Sequence, residues 1–114
     1  MDDERQLFRG AVRLLLLERL ARGESYGYAI VVELRDLGLV HAAESTVYPA
    51  LARLEKDGLV AARLEASGRG AARKYYRLTD AGRQAHARAR MAWDTLANAV
   101  DDVAAKEGDS HATA

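Results

Sequence analysis

Cysteine is absent, which removes disulfides, thiolate zinc sites and cysteine nucleophiles together and fits a reducing compartment. Long apolar runs are missing too. The longest pure leucine run is Leu14 to Leu17, far short of a membrane span. The first residues, Met1-Asp2-Asp3-Glu4, are acidic where a secretory leader would be basic, so a cytoplasmic protein without membrane contact is expected. No glycine-rich phosphate loop and no nucleophile elbow occurs, and the carboxylates fall mostly at helix caps or on polar faces. Asp101-Asp102 reads as an exposed acidic turn, not as a paired acid and base. His41, His86 and His111 are scattered along the chain, without the spacing of a ligand set. Metal, cofactor and enzymatic activity are therefore not expected.

Net charge is also missing, with 17 basic residues against 17 acidic ones. The balance hides a segregation. Between Ser45 and Arg90 ten basic residues stand against four acidic ones (Glu55, Asp57, Glu65 and Asp80), and the remainder of the chain carries the compensating acid. A basic middle between acidic ends suggests one surface that faces a polyanion. At 114 residues the chain has room for one core.

What is present is a series of periodic segments. Phe8, Val12, Leu15, Leu16 and Leu20 share one face of a helix over Leu7–Leu20, and Leu7, Ala11 and Leu14 widen that face beyond the needs of one neighbour. Gly23 closes it. Ser25 reads as the N-cap of a second helix from Tyr26 to about Leu37, with Ile30, Leu34 and Leu37 inward and Gly38 at its end. A third helix is expected over Ser45–Asp57 with Val47, Leu51 and Leu54 inward. Gly58 takes the left-handed position after it, and Leu59 folds back. Pro49 removes an intrahelical bond, which predicts a late or loosened first turn. Two strands, Leu59–Glu65 and Arg73–Leu78, flank a hairpin tip at Ser67-Gly68-Arg69-Gly70. Thr79 caps a final helix in which Gly82, Ala85, Ala89, Ala92, Leu96, Ala99 and Val103 recur in alternating steps of three and four.

The expected fold is mainly α with a small β-hairpin: a winged helix-turn-helix over residues 1–78, a long C-terminal dimerisation helix over 79–106, and a disordered polar tail over 107–114. That order of elements suits duplex DNA, with the third helix in the major groove and the basic hairpin along the phosphates. Three stretches carry a family resemblance: Ser25-Tyr26-Gly27-Tyr28-Ala29-Ile30, the run from Ser45-Thr46-Val47-Tyr48-Pro49-Ala50-Leu51 to Gly58-Leu59-Val60, and Arg73-Lys74-Tyr75-Tyr76-Arg77-Leu78-Thr79-Asp80-Ala81-Gly82. Together they resemble the motifs of PadR-type transcriptional regulators, over nearly the whole chain to about Val103. With one C-terminal helix the chain looks like the short-form branch. That resemblance implies a homodimer formed through this helix, repression of transcription, and release of DNA by a small hydrophobic compound. Ser45 stands where many relatives have glycine, and the hairpin tip is less basic than in many members.

On the third helix, Ser45, Thr46, Tyr48, Pro49, Arg53 and Lys56 are left outside once the apolar face turns inward, and they are the candidate DNA contacts. The plainer alternative is a solvated helix face. In the hairpin, Arg63, Arg69, Arg73, Lys74 and Arg77 read as the phosphate-contacting wing, against the alternative of basic residues that protect a strand edge. One of Tyr75 and Tyr76 is expected to pack under the wing. The candidate dimer interface is Phe8, Val12, Leu15, Ala85, Ala89, Ala92, Trp93, Leu96, Val100 and Val103. Trp93 has two readings: packing in that interface or, as the resemblance implies, the stacking wall of an effector pocket with Ala89, Ala92 and Leu96. The expected partners are a second copy of the chain, a pseudo-palindromic double-stranded operator, and a small hydrophobic or aromatic effector. The competing function is a dimeric ligand- or protein-binding module on the same scaffold without specific DNA binding.

Overall fold

The computed structural model describes residues 2–66, 68 and 70–113, with side chains described between 3 and 106. α1 (Asp2–Ala21) is followed by β1 (Ser25–Tyr26), α2 (Gly27–Asp36), α3 (Glu44–Lys56), β2 (Val60–Glu65), β3 (Arg73–Leu78) and α4 (Asp80–Thr113). The three strands form an antiparallel sheet in the order β1-β3-β2. The fold is thus mainly helical with a small sheet and a long C-terminal helix.

Leu16 and Leu17 of α1, Ile30 of α2, and Val47, Leu51 and Leu54 of α3 are fully enclosed, and Val60, Tyr76 and Leu78 close the core from the sheet. Burying side chains of this size contributes about 1.5–3 kcal/mol each, so this cluster fixes the angle at which α3 leaves the body. The ends of α2 and α3 are set by left-handed glycines. Gly38 has φ 95° and Gly58 φ 76°. After each, the next residue's N–H reaches back to a leucine carbonyl, Leu39 to Leu34 and Leu59 to Leu54. These are Schellman closures, which satisfy orphan carbonyls and turn the chain sharply.

Three expectations need correction. Ser25 does not cap α2. It is buried in β1, paired with Tyr76, while Tyr26 takes the cap position in extended conformation without a side-chain cap bond. The third helix does not start late or loosely: it begins at Glu44, and the N–H groups of Thr46 and Val47 both bond the Ala43 carbonyl. Pro49 is tolerated inside α3 because the carbonyl it leaves without a partner belongs to Ser45, which is exposed to water. Gly82 and Ala85, placed in the seam of the last helix, are buried against the chain's own body, so the seam is free only beyond them. α4 extends through residues 107–113, the stretch expected as a polar tail, and their side chains lie outside the described residues.

The junction of α4 with the body is tight. Thr79 Oγ1 accepts a hydrogen bond from the Gly82 N–H at 3.0 Å, the expected N-cap, and donates to the Gly58 carbonyl at 2.7 Å. The Thr79 N–H donates to the Leu59 carbonyl. Further along, Glu18 of α1 meets His86 at 2.9 Å and Arg90 at 3.3 Å, both on α4. Burial opposes ionisation of Glu18, but its close contacts with His86 and Arg90 outweigh it and hold the carboxyl below its usual range. These contacts fix the first third of α4, and the rest of the helix projects outward, giving a molecule 68 × 31 × 20 Å.

Candidate nucleic-acid interface

With Val47, Leu51 and Leu54 locked inward, α3 presents Ser45, Tyr48, Pro49, Ala52, Arg53 and Lys56 to solvent, with Thr46 half-buried at the margin. Arg53 and Lys56 have no carboxylate partner among the described residues. Basic side chains in the last turn also suit the negative end of the helix dipole. Tyr48 is 41% exposed, but it is not a free side chain. Its ring lies over Gly27, so close that a Cβ there would stand 1.9 Å from Cε1. Its hydroxyl donates to Glu44 at 3.4 Å. Burial, followed by the Glu44 carboxylate, pushes the phenol above its ordinary value, so it remains a hydrogen-bond donor at neutral pH. Gly27 is therefore the residue that lets α2 and α3 share this tyrosine.

The hairpin has two unlike faces. Opposed pairs in an antiparallel ladder project to the same side. The pairs Val60↔Leu78, Ala62↔Tyr76 and Leu64↔Lys74 make the side that covers the core and borders α3. Tyr76 is the tyrosine that packs under the wing, only 7% exposed. Lys74 emerges beside it, with Nζ 3.0 Å from Glu55 of α3 and 5.5 Å from the Tyr76 ring. The Glu55 hydrogen bond raises the lysine pKa.

Arg63, Glu65, Arg73, Tyr75 and Arg77 lie on the other side. There the Tyr26 and Tyr75 rings meet edge to face at 5.2 Å, with Arg73 over the first and Arg63 over the second. Arg63 also grips Glu24 through two bonds of 2.7 and 2.9 Å and touches Glu65 at 3.1 Å. The Arg63 hydrogen bond lowers the Glu24 pKa. Arg73 and Lys74 are adjacent in sequence and alike in charge, yet they stand on opposite faces with different neighbours. Arg69 lies outside the described residues.

A helix held by a three-residue apolar face, its outer face free and flanked by a cationic hairpin, is the arrangement of a winged helix-turn-helix. Residues 16–88 match the Transcriptional regulator PadR-like family. The chain belongs to that family. This PadR-like chain is 40% identical over 96 residues to the transcriptional regulator Rv3488 of Mycobacterium tuberculosis, covering 84% of this chain and 88% of that protein. A PadR family transcriptional regulator from Eggerthella lenta superimposes with TM-score 0.77 at 37% identity, over 86% of this chain and 85% of that one. Bacillus subtilis PadR, solved in complex with operator DNA, superimposes with TM-score 0.61 at 32% identity, over 67% of this chain and 44% of that one. The PadR-like chain is accordingly a DNA-binding transcriptional regulator and not an enzyme.

Away from this face, the four residues assigned to an effector, Ala89, Ala92, Trp93 and Leu96, line one open apolar cleft between α1 and α4, about 950 Å³ in volume. Of the residues expected at a dimer interface, Phe8 and Ala85 are buried in the chain's own core and Val12, Leu15 and Ala89 pack against it. Trp93, Leu96, Val100 and Val103 are exposed. The described residues contain no cluster that could hold a metal ion, and no helix among them is long and apolar enough to cross a membrane.

Sequence reasoning missed several members of the site. Tyr26 and Tyr28 were not singled out, although Tyr26 anchors the outer face of the wing and Tyr28 is close enough to Tyr48 to bear on its hydroxyl. The carboxylates Glu24, Glu55 and Glu65 were counted as charges and not as partners. Glu55, on the third helix and opposite a basic strand, had a signal in the sequence. Glu24, 39 residues from Arg63, had none.

Proposed function

We propose that this regulator works in the cytoplasm as a homodimeric repressor, binding a pseudo-palindromic operator through α3 and the wing and releasing it to a small aromatic effector. Residues 1–78 form the DNA-binding part and 79–106 the dimerisation helix. The observation that carries the reading is the division of α3: an inward face locked in the core, and an outward face open to solvent on which Arg53 and Lys56 have no carboxylate partner among the described residues. Ser45, Thr46, Tyr48, Pro49 and Arg53 fall to the groove. Lys56, Arg69, Arg73, Lys74 and Arg77 fall to the backbone.

Base and phosphate contacts differ in what their removal does. Arg53→Ala is expected to relax preference at defined base pairs by about 1–3 kcal/mol if it contacts a base through two bonds. Arg77→Ala is expected to weaken binding to every sequence alike and to shallow the salt dependence by roughly 0.9 log unit for each phosphate left unneutralised. Fluorescence anisotropy on operator and scrambled duplexes checks both. Equal weakening on the two duplexes for Arg53→Ala would make that residue a phosphate contact.

The effector reading is supported by the cleft, where Trp93 is the only indole in the chain. A planar ligand stacked on it changes DNA affinity only if it binds one arrangement of the dimer more tightly, and DNA must then weaken the ligand by the same factor. Titration with flat phenolic compounds is expected to quench Trp93 saturably, with the curve displaced to higher concentration by operator. If Trp93→Ala still dimerises and still releases DNA to its inducer, Trp93 is a packing residue.

A further inference from the structure

We infer that Glu55 masks the wing: its carboxylate occupies Lys74 in the free protein, and DNA binding exchanges Glu55 for a phosphate. The inference rests on the assignment of α3 and the wing to the DNA face. Lys74 Nζ stands 3.0 Å from Glu55 Oε1. It is the cation on the side of the hairpin that borders α3, across the ladder from exposed Leu64. Both partners are half open to water, with side chains 47% and 38% exposed. The pair is therefore accessible to a competing anion and screened by salt, and such pairs are weak. A duplex phosphate brings the same charge and the same acceptor geometry to the lysine. The outer face behaves differently. Arg63 is held by Glu24 and Glu65 together and lies over Tyr75, a set of contacts that a single phosphate does not replace.

The exchange makes an unusual prediction. Lys74 contributes to DNA affinity only the difference between a phosphate and Glu55, so its removal costs the wild-type protein less than it costs a protein without that carboxylate. Glu55→Gln frees the lysine in advance, so affinity should rise.

The test is a double-mutant cycle, read by anisotropy on a labelled duplex of random sequence and on the duplex selected by the wild-type protein. Glu55→Gln is expected to tighten binding about two- to fivefold, the range of an exposed ion pair, and to steepen the salt dependence. Lys74→Ala is expected to weaken the wild type by about twofold and the Glu55→Gln protein by about fivefold. Glu65→Gln supplies the control, since it removes the same charge from the other face of the wing. It is expected to leave the effect of Lys74→Ala unchanged.

An equal cost of Lys74→Ala in both backgrounds overturns the exchange, as does weaker binding by Glu55→Gln. If Glu65→Gln reproduces the coupling, net charge alone is responsible and the masking role of Glu55 is wrong. Failure of the wild-type protein to bind any duplex would instead overturn the assignment of the DNA face. Melting temperatures close to wild type for the two glutamine variants separate all these outcomes from misfolding.

Discussion

Replacing Gly82 by alanine is expected to destabilise the protein by about 3 kcal/mol, the upper part of the range for overpacking a tight contact, and to lower Tm by roughly 15 °C. A Cβ at this position would stand 1.9 Å from the Leu59 carbonyl oxygen and 3.0 Å from its carbon. The carbonyl has no room to retreat. It accepts the Thr79 N–H at 3.1 Å, and the neighbouring Gly58 carbonyl accepts the Thr79 hydroxyl. The clash is relieved only if α4 lifts from the start of β2, which breaks those bonds.

Gly27→Ala makes the same chemical change with a different result. The three atoms nearest the new methyl all belong to the ring of Tyr48, which can swing aside, so the melting temperature should stay within a few degrees of wild type. DNA affinity should fall, because the ring leaves its place between α2 and α3. Thermal denaturation followed by circular dichroism compares the two. A Gly82→Ala protein that melts with the wild type would mean that α4 does not dock on β2 as described.

Leu96→Asp is expected to convert the proposed dimer to monomer and to weaken operator binding at least a hundredfold, because two half-sites bound by separate monomers forgo the advantage of linkage. Trp93, Leu96, Val100 and Val103 repeat in steps of three and four along the free part of α4, and Leu96 is 58% exposed. An unpartnered apolar stripe of this kind is costly to leave in water and marks an association surface. A buried carboxylate without a partner there opposes assembly strongly. The residue is exposed in the single chain, so the substitution should leave the monomer's fold intact. Sedimentation velocity gives the mass. An unaltered dimer would place the interface elsewhere, with the N-terminal part of α1, where Leu7 is 75% exposed, as one candidate apolar surface.

The elements that could be read from the sequence are those specified by neighbours a few residues apart. α3 was legible because Val47, Leu51 and Leu54 repeat at helical spacing and Gly58 supplies the left-handed stop. The hairpin was legible because two β-rich runs flank a glycine-rich tip, and the α4 cap because Thr79 lies three residues before the N–H it accepts. What failed depended on distant partners. β1 is two residues long, too short for any period, and exists only because Ser25 and Tyr26 pair with Tyr76 and Tyr75 about fifty positions later.

The seam of α4 shows a second limit. Steps of three and four identify an apolar face but not what it packs against, so Ala85, expected at a partner chain, meets its own, as does Gly82 at the start of the same series. The candidate site divides in the same way. The outward residues of α3 followed from its inward ones, whereas the tyrosine over Gly27 and the pairing of Lys74 with Glu55 arise between elements. A count of charges along the middle of the chain located the basic surface, but it did not show which cations are already occupied.

Selection of bound duplexes from a random-sequence pool by the purified wild-type protein tests the central claim most directly. A two-fold protein whose α3 helices enter successive major grooves should enrich a pseudo-palindrome with half-sites about one helical turn, ~34 Å, apart. The same selection with Arg53→Ala should lose information at particular positions of each half-site. A pool retained without any enriched motif, or a motif unchanged when Arg53 is removed together with Thr46, would contradict the assignment of α3 as the element that reads DNA.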